Sequence, residues 1–106
     1  MKRRVVRSDE SKRDVVELAD YIAQNNYGVS IRFLNAVEQT CEFLAANPHA
    51  GQLCQFKNPA TEGLRVWAVE KFRNYLVYFR PADDGIVIER VLHGARDIEA
   101  LFGEVE

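Results

Sequence analysis

The chain has 106 residues, 47% of them hydrophobic and 28% charged, which is enough for one compact domain with a modest core and too little for two. That balance excludes disordered, collagen-like and mucin-like chains, and no apolar run approaches the roughly 18 residues of a membrane span. A formal net charge of -2 and a pI near 5.7 argue against a general nucleic-acid binder that neutralises many phosphates.

The N-terminus opens Met1-Lys2-Arg3-Arg4 with no hydrophobic region or cleavage site behind it, so a cytoplasmic protein is expected. Residues Arg4 to Arg7 alternate weakly around Val5 and Val6 and predict a short strand. Ser8-Asp9 then offers an N-cap with acidic residues at the positive end of a helix. From Asp9 to about Asn25 the apolar positions Val15, Leu18, Ala19 and Ile22 recur at helical spacing. Lys12, Arg13, Asp14 and Glu17 are assigned to the solvated face, with Arg13 and Glu17 in i,i+4 support.

Asn25-Asn26-Tyr27-Gly28 tolerates left-handed backbone and marks a turn, after which Phe33, Leu34, Val37, Cys41, Leu44 and Ala45 repeat every three or four positions. This second helix stops at Asn47-Pro48, where proline has no amide hydrogen to continue the ladder. So short a connection makes the two helices an antiparallel hairpin. Cys41 continues the apolar stripe and is read as a reduced, partly buried thiol. Neither it nor Cys54 has a CxxC or histidine companion at zinc spacing, so no metal and no cofactor is expected.

His49 to Gly63, rich in glycine and proline, is read as a loop. Three runs of β-branched and aromatic residues follow: Leu64 to Val69, Tyr75 to Arg80, and Ile86 to Leu92. Glu70 to Asn74 joins the first two, and Pro81 to Gly85, with its Asp-Gly hairpin signal, joins the last two antiparallel. Asp97 caps a brief helix from Ile98 to Phe102, ended by Gly103 before an acidic tail. The expected fold is therefore α+β over a single domain, residues 1–106. It has an N-terminal strand, an antiparallel helical hairpin on one face of an antiparallel sheet and a short C-terminal helix, with the other sheet face left for function.

Basic residues cluster at the N-terminus and at Arg65, Lys71, Arg73, Arg80, Arg90 and Arg96, so a local positive face survives the acidic total. Strand alternation puts Ile86, Ile88, Arg90 and Leu92 on one side and Val87, Glu89, Val91 and His93 on the other. Tyr75, Tyr78, Phe79 and Trp67 are read as core or cross-strand partners rather than base-stacking platforms.

Three stretches together carry a resemblance. They are Arg32-Phe33 with Leu44, Asn47-Pro48 and Gly51; Phe72-Arg73-Asn74-Tyr75-Leu76-Val77-Tyr78-Phe79-Arg80 after Leu64-Arg65-Val66; and Ile88-Glu89-Arg90-Val91-Leu92-His93-Gly94-Ala95-Arg96-Asp97. With the element order, they resemble the RelE/ParE toxin superfamily, the ParE branch in particular, over nearly the whole chain.

The resemblance implies a type II toxin-antitoxin system whose toxin is neutralised by a ParD-like antitoxin. The antitoxin's DNA-binding half is usually a ribbon-helix-helix dimer, and its C-terminal segment wraps the toxin in a hetero-oligomer. ParE-like members are associated with DNA gyrase inhibition, whereas RelE-like members cut messenger RNA on the ribosome. Metal-independent RNA cleavage needs a base for the ribose hydroxyl, positive groups for the phosphorane and an acid for the leaving oxygen. Arg65, Arg73, Arg80 and His93 are the candidates for that alternative, with Glu70 or Glu89 as base and Arg90 as a further phosphate clamp.

Under the protein-inhibitor reading there is no catalytic set, and Arg90, His93 and Arg96 are the target-binding candidates. For His93 a structural part, satisfied by backbone or by Asp97 beside a turn at Gly94, is favoured over catalysis, and Arg96-Asp97 equally suits a helix cap. An apolar groove beside the hairpin, or an open sheet edge, suits an antitoxin segment.

Overall fold

A computed structural model describes residues 3–103. In chain order these form β1 (Arg4–Arg7), α1 (Asp9–Ala23), α2 (Tyr27–Ala46), β2 (Gln52–Leu53), a 3-10 turn (Pro59–Thr61), β3 (Arg65–Val69), β4 (Phe72–Ala82), β5 (Gly85–His93) and α3 (Ile98–Leu101). The acidic tail after Gly103 lies outside the described residues.

The expected α+β fold is present. One sheet has the strand order β1-β5-β4-β3-β2. Every neighbouring pair is antiparallel except β1 and β5, which run parallel from Arg4 beside Gly85 to Arg7 beside Ile88. Consecutive hairpins explain the antiparallel pairs, and the long excursion through the helices lets β1 lie parallel to β5.

The helical hairpin covers one sheet face. Ser8 caps α1 as expected, its hydroxyl accepting from the Ser11 amide at 2.9 Å. Asn26 caps α2 from an extended conformation, φ -158°, so the turn before it uses capping rather than the left-handed backbone its asparagines suggested. The Ser30 hydroxyl donates to the Ala19 carbonyl at 2.7 Å and ties the helices together. Phe33, Val37, Cys41 and Leu44 then pack on Val69, Val77, Phe79, Ile86, Ile88 and Val91, a contiguous core of the kind that supplies most folding free energy.

The opposite sheet face is not open, which corrects the expectation that it was left for function. Leu64, Tyr78 and Leu92 on that side are buried under Phe56, Ile98, Leu101 and Phe102. The physical reason lies in the strands, which are apolar on both faces, so the loop after β2 and the short α3 are recruited as a second cover. Phe102 stacks on Phe56 with centroids 5.7 Å apart and leans on Tyr78 at 5.2 Å.

β4 also starts earlier than expected, at Phe72, and Glu70-Lys71 alone make the turn from β3, with Lys71 at φ 66°. The register slips here, Ala68 lying opposite Leu76 and Val69 opposite Phe72, so Arg73 to Tyr75 bow out of the ladder.

Candidate functional site

β5 carries the site, and a bulge shapes it. Tyr78 pairs with Arg90 and Phe79 with Ile88, leaving Glu89 as the extra residue. The alternation is reset there. Ile86, Ile88 and Val91 all face the helices, while Leu92 joins the second core beneath α3. Simple alternation had put Leu92 with Ile86 and Ile88. Arg90 and His93 still lie on opposite faces.

Beyond Arg7, β1 ends and the edge of β5 is closed by α1. The Ser8 hydroxyl donates to the Glu89 carbonyl at 2.7 Å, and the Val91 amide donates to Asp14 Oδ2 at 3.0 Å. The same carboxylate takes two bonds from Arg90, Nε to Oδ2 at 2.8 Å and Nη2 to Oδ1 at 2.9 Å. Asp14 is 8% exposed. Its hydrogen bonds to Arg90 outweigh desolvation and hold the guanidinium above its ordinary pKa. Assigning Asp14 to the solvated face of α1 was therefore wrong. It is buried with Ser11 and Ala19, on the side where half-buried Leu18 also packs, because a sheet edge and an arginine require an acceptor there. The signal was a carboxylate at stripe spacing, three residues after Ser11 and four before Leu18. Among the described residues Arg13 and Glu17 form no ion pair.

Arg80 is similarly occupied. Nε reaches Glu89 Oε2 at 3.1 Å, and the two terminal nitrogens donate to the Glu62 and Ala60 carbonyls. Arg80, Glu89 and Arg90 thus meet at one cleft of about 240 Å3, which Glu10 and Phe102 also line. Its positive charges are matched by Glu89, Asp14 and, at 3.9 Å from Arg90, Glu10.

The other candidates lie elsewhere. Arg65 turns toward the end of α2 and donates to the His49 and Gly51 carbonyls at 3.0 and 3.3 Å. Arg73 is exposed in the bowed segment of β4. His93 stands edge-on to Tyr75, centroids 5.0 Å apart, and its Nδ1 accepts the Ala95 amide at 3.0 Å. Backbone, rather than Asp97, is thus its partner, and Asp97 caps α3 through the Ala100 amide at 3.4 Å. Arg96 is exposed after the turn. Gly94 sits in that turn without the positive φ seen at Gly51, Gly63 and Gly103. Glu70 lies across the molecule, its amide bonded to Thr40. Among the described residues no group of three His, Cys, Asp or Glu is placed to hold a metal ion, and both cysteines are free.

The family described as "ParE toxin of type II toxin-antitoxin system, parDE" matches residues 5–98. The chain belongs to this family. The matched span of this ParE-family toxin includes Arg65, Arg73, Arg80, Arg90, His93 and Arg96, and ends at the first residue of α3.

Among solved structures, the toxin resembles a chain of the chromosomal ParDE TA system from P. aeruginosa at 18% identity and a TM-score of 0.66, covering 84% of this chain and 92% of that one. It also resembles YafQ from E. coli strain BL21(DE3), and a point mutant of YafQ, each at 20% identity and a TM-score of 0.54 over 96% of this chain and 100% of the other. At these identities the likeness concerns the fold. No curated protein sequence matches the chain. Among the described residues no helix is long and apolar enough to cross a membrane.

Proposed function

We propose that this ParE-family toxin acts in the cytoplasm as a non-enzymatic inhibitor of DNA gyrase and is held inactive by a ParD-like antitoxin of ribbon-helix-helix type. Family membership over residues 5–98 carries the reading. The geometry of the charged residues supports its non-enzymatic part. A phosphoryl-transfer site needs uncommitted cations and an acid or base converging on one phosphate. Here the Arg80 and Arg90 guanidinium groups are spent on carboxylates and carbonyls, and Arg65 and His93 lie outside their cleft. We assign Arg90 the task of fastening α1 to β5, which leaves Arg96 as the freer target contact in that segment.

For the antitoxin we assign the apolar groove between α1 and α2. Val15, Val16 and Val37 wall it, Cys41, Ile88 and Val91 form its floor, and Lys12 and Glu38 mark its rim, enclosing about 250 Å3. Such a groove receives an apolar anchor from a helical or extended segment.

The test uses purified toxin. Inhibition of gyrase supercoiling that is relieved by the adjacent gene product, with messages on ribosomes left intact, is the expected result. Cleavage of ribosome-bound messages with supercoiling unaffected would reverse the proposal and restore the nuclease alternative built on Arg65, Arg73, Arg80 and His93.

A further inference from the structure

We propose that the toxin grips its protein target through the face formed by α2 and the β3–β4 turn, centred on Phe43, Trp67 and Lys71, and that the target presents an acidic segment beside an apolar socket. This rests on the reading that the chain acts by binding a protein.

The first observation is an aromatic pair left in solvent. Phe43 and Trp67 stack with centroids 5.5 Å apart and an interplanar angle of 26°, yet they remain 45% and 37% exposed. β2 pairs only with Arg65 and Val66, so no strand of the sheet shields Trp67 on the outer side of β3. Large aromatics anchored on a rigid element are the side chains on which protein interfaces concentrate their binding energy.

The second observation is independent. The tight turn at Glu70-Lys71 places Lys71 at φ 66°, the left-handed region that favours glycine. The turn is pinned rather than loose. Thr40, itself buried, accepts the Glu70 amide at 3.0 Å while donating to the Ala36 carbonyl at 2.7 Å. A lysine held at a glycine position on a fixed turn points to its side chain as the reason for its presence.

The two features form one surface. The depression beside Phe43 and Trp67 and the one beside Arg32 and Lys71 share Gln39 and Glu70 as lining residues. Unlike Arg80 and Arg90, neither Arg32, Lys71 nor the neighbouring Arg73 makes an ion pair among the described residues. Arg32 and Lys71 stand against Glu70 in this lining, so the lining is net positive on a chain whose formal charge is -2. Complementarity calls for an acidic partner. A protein fits better than a nucleic acid, because the lining offers Arg32 and Lys71 against a whole run of phosphates, on a chain whose net charge is negative.

Lys71→Gly separates contact from fold, since glycine suits this backbone better than lysine does. The variant is expected to melt no lower than wild type and to keep its antitoxin complex. The concentration for half-inhibition of gyrase should rise at least about tenfold, and growth arrest on induction should weaken in parallel. Arg32→Glu and Trp67→Ala, each checked for a native melting curve, should lose potency likewise. Full potency of Lys71→Gly and Arg32→Glu would overturn the proposal.

If wild type arrests growth without inhibiting gyrase, the gyrase reading fails, while growth arrest by the same variants still decides the surface. A wild-type chain that arrests nothing would sink both. Binding of a labelled single-stranded oligonucleotide, abolished by Trp67→Ala, would overturn the assignment to a protein partner.

Discussion

An ionised carboxylate under α1 would be costly without partners, and Asp14 has three: two guanidinium nitrogens and the Val91 amide. Removing one member of such a pair costs far more than replacing both. Arg90→Met should therefore destabilise the fold by about 3 kcal/mol, whereas the double variant Asp14→Asn/Arg90→Met should recover most of that, because an amide oxygen still accepts from Val91. Urea titrations of the four combinations measure the coupling. A single variant that unfolds at the wild-type midpoint would show that the pair contributes nothing. The practical consequence concerns how variants of this residue are interpreted: loss of toxicity in an Arg90 variant reports on folding before it reports on target contact.

At the scale of elements, the parallel pairing of β1 with β5 depends on one glycine. A Cβ on Gly85 would sit 1.8 Å from the Arg4 carbonyl oxygen, closer than any two such atoms approach. Asp83-Asp84 form the turn itself, with no left-handed residue, and Gly85 is already the first residue of β5. The Asp-Gly signal thus located the hairpin correctly, although the glycine serves the neighbouring strand. Gly85→Val is expected to push β1 off the sheet edge at a cost of about 3 kcal/mol. Hydrogen exchange should show the Arg4 and Ser8 amides, which donate to the Asp84 and Ile88 carbonyls, and the Val6 amide between them losing protection while β3 and β4 keep theirs. Unchanged protection along β1 would mean that the strand can shift to admit a side chain.

For the molecule as a whole, the sheet is buried on both sides, and each side holds an acid that ionises reluctantly. Burial pushes the Cys41 thiol from 9.0 up to about 11 and the Tyr78 phenol from 10.0 up to about 12. Because both folded values exceed the unfolded ones, the native state keeps protons that the unfolded chain has released. The stabilisation is complete below pH 9 and is lost as pH rises through 9 to 12. Denaturation midpoints should therefore stay level to about pH 9 and fall beyond it. Tyr78→Phe should flatten the limb above pH 10. A limb unchanged by that substitution would place the titration elsewhere. Cys41 should also resist alkylation at neutral pH until the protein is unfolded.

What the sequence determined by itself was most of the local structure. Apolar spacing placed both helices, Ser8 and Asp97 were legible as caps, Asn47-Pro48 as a stop, and the string from Ile88 to Asp97 as a strand, turn and cap of the ParE kind. Periodicity and capping depend on neighbours a few residues away, so one chain read in order suffices for them. The site was less legible. Arg65, Arg73, Arg80, Arg90 and His93 are equally plausible as a list, and only the tertiary structure sorts them into committed and free charges. Asp14 and Arg90 are partners across most of the chain, the bulge at Glu89 resets which side of β5 faces the helices, and α3 folds back over a sheet face expected to be open. Each of those facts is a contact between distant residues, fixed by what must be buried or neutralised in three dimensions, and residue order alone carries little trace of it.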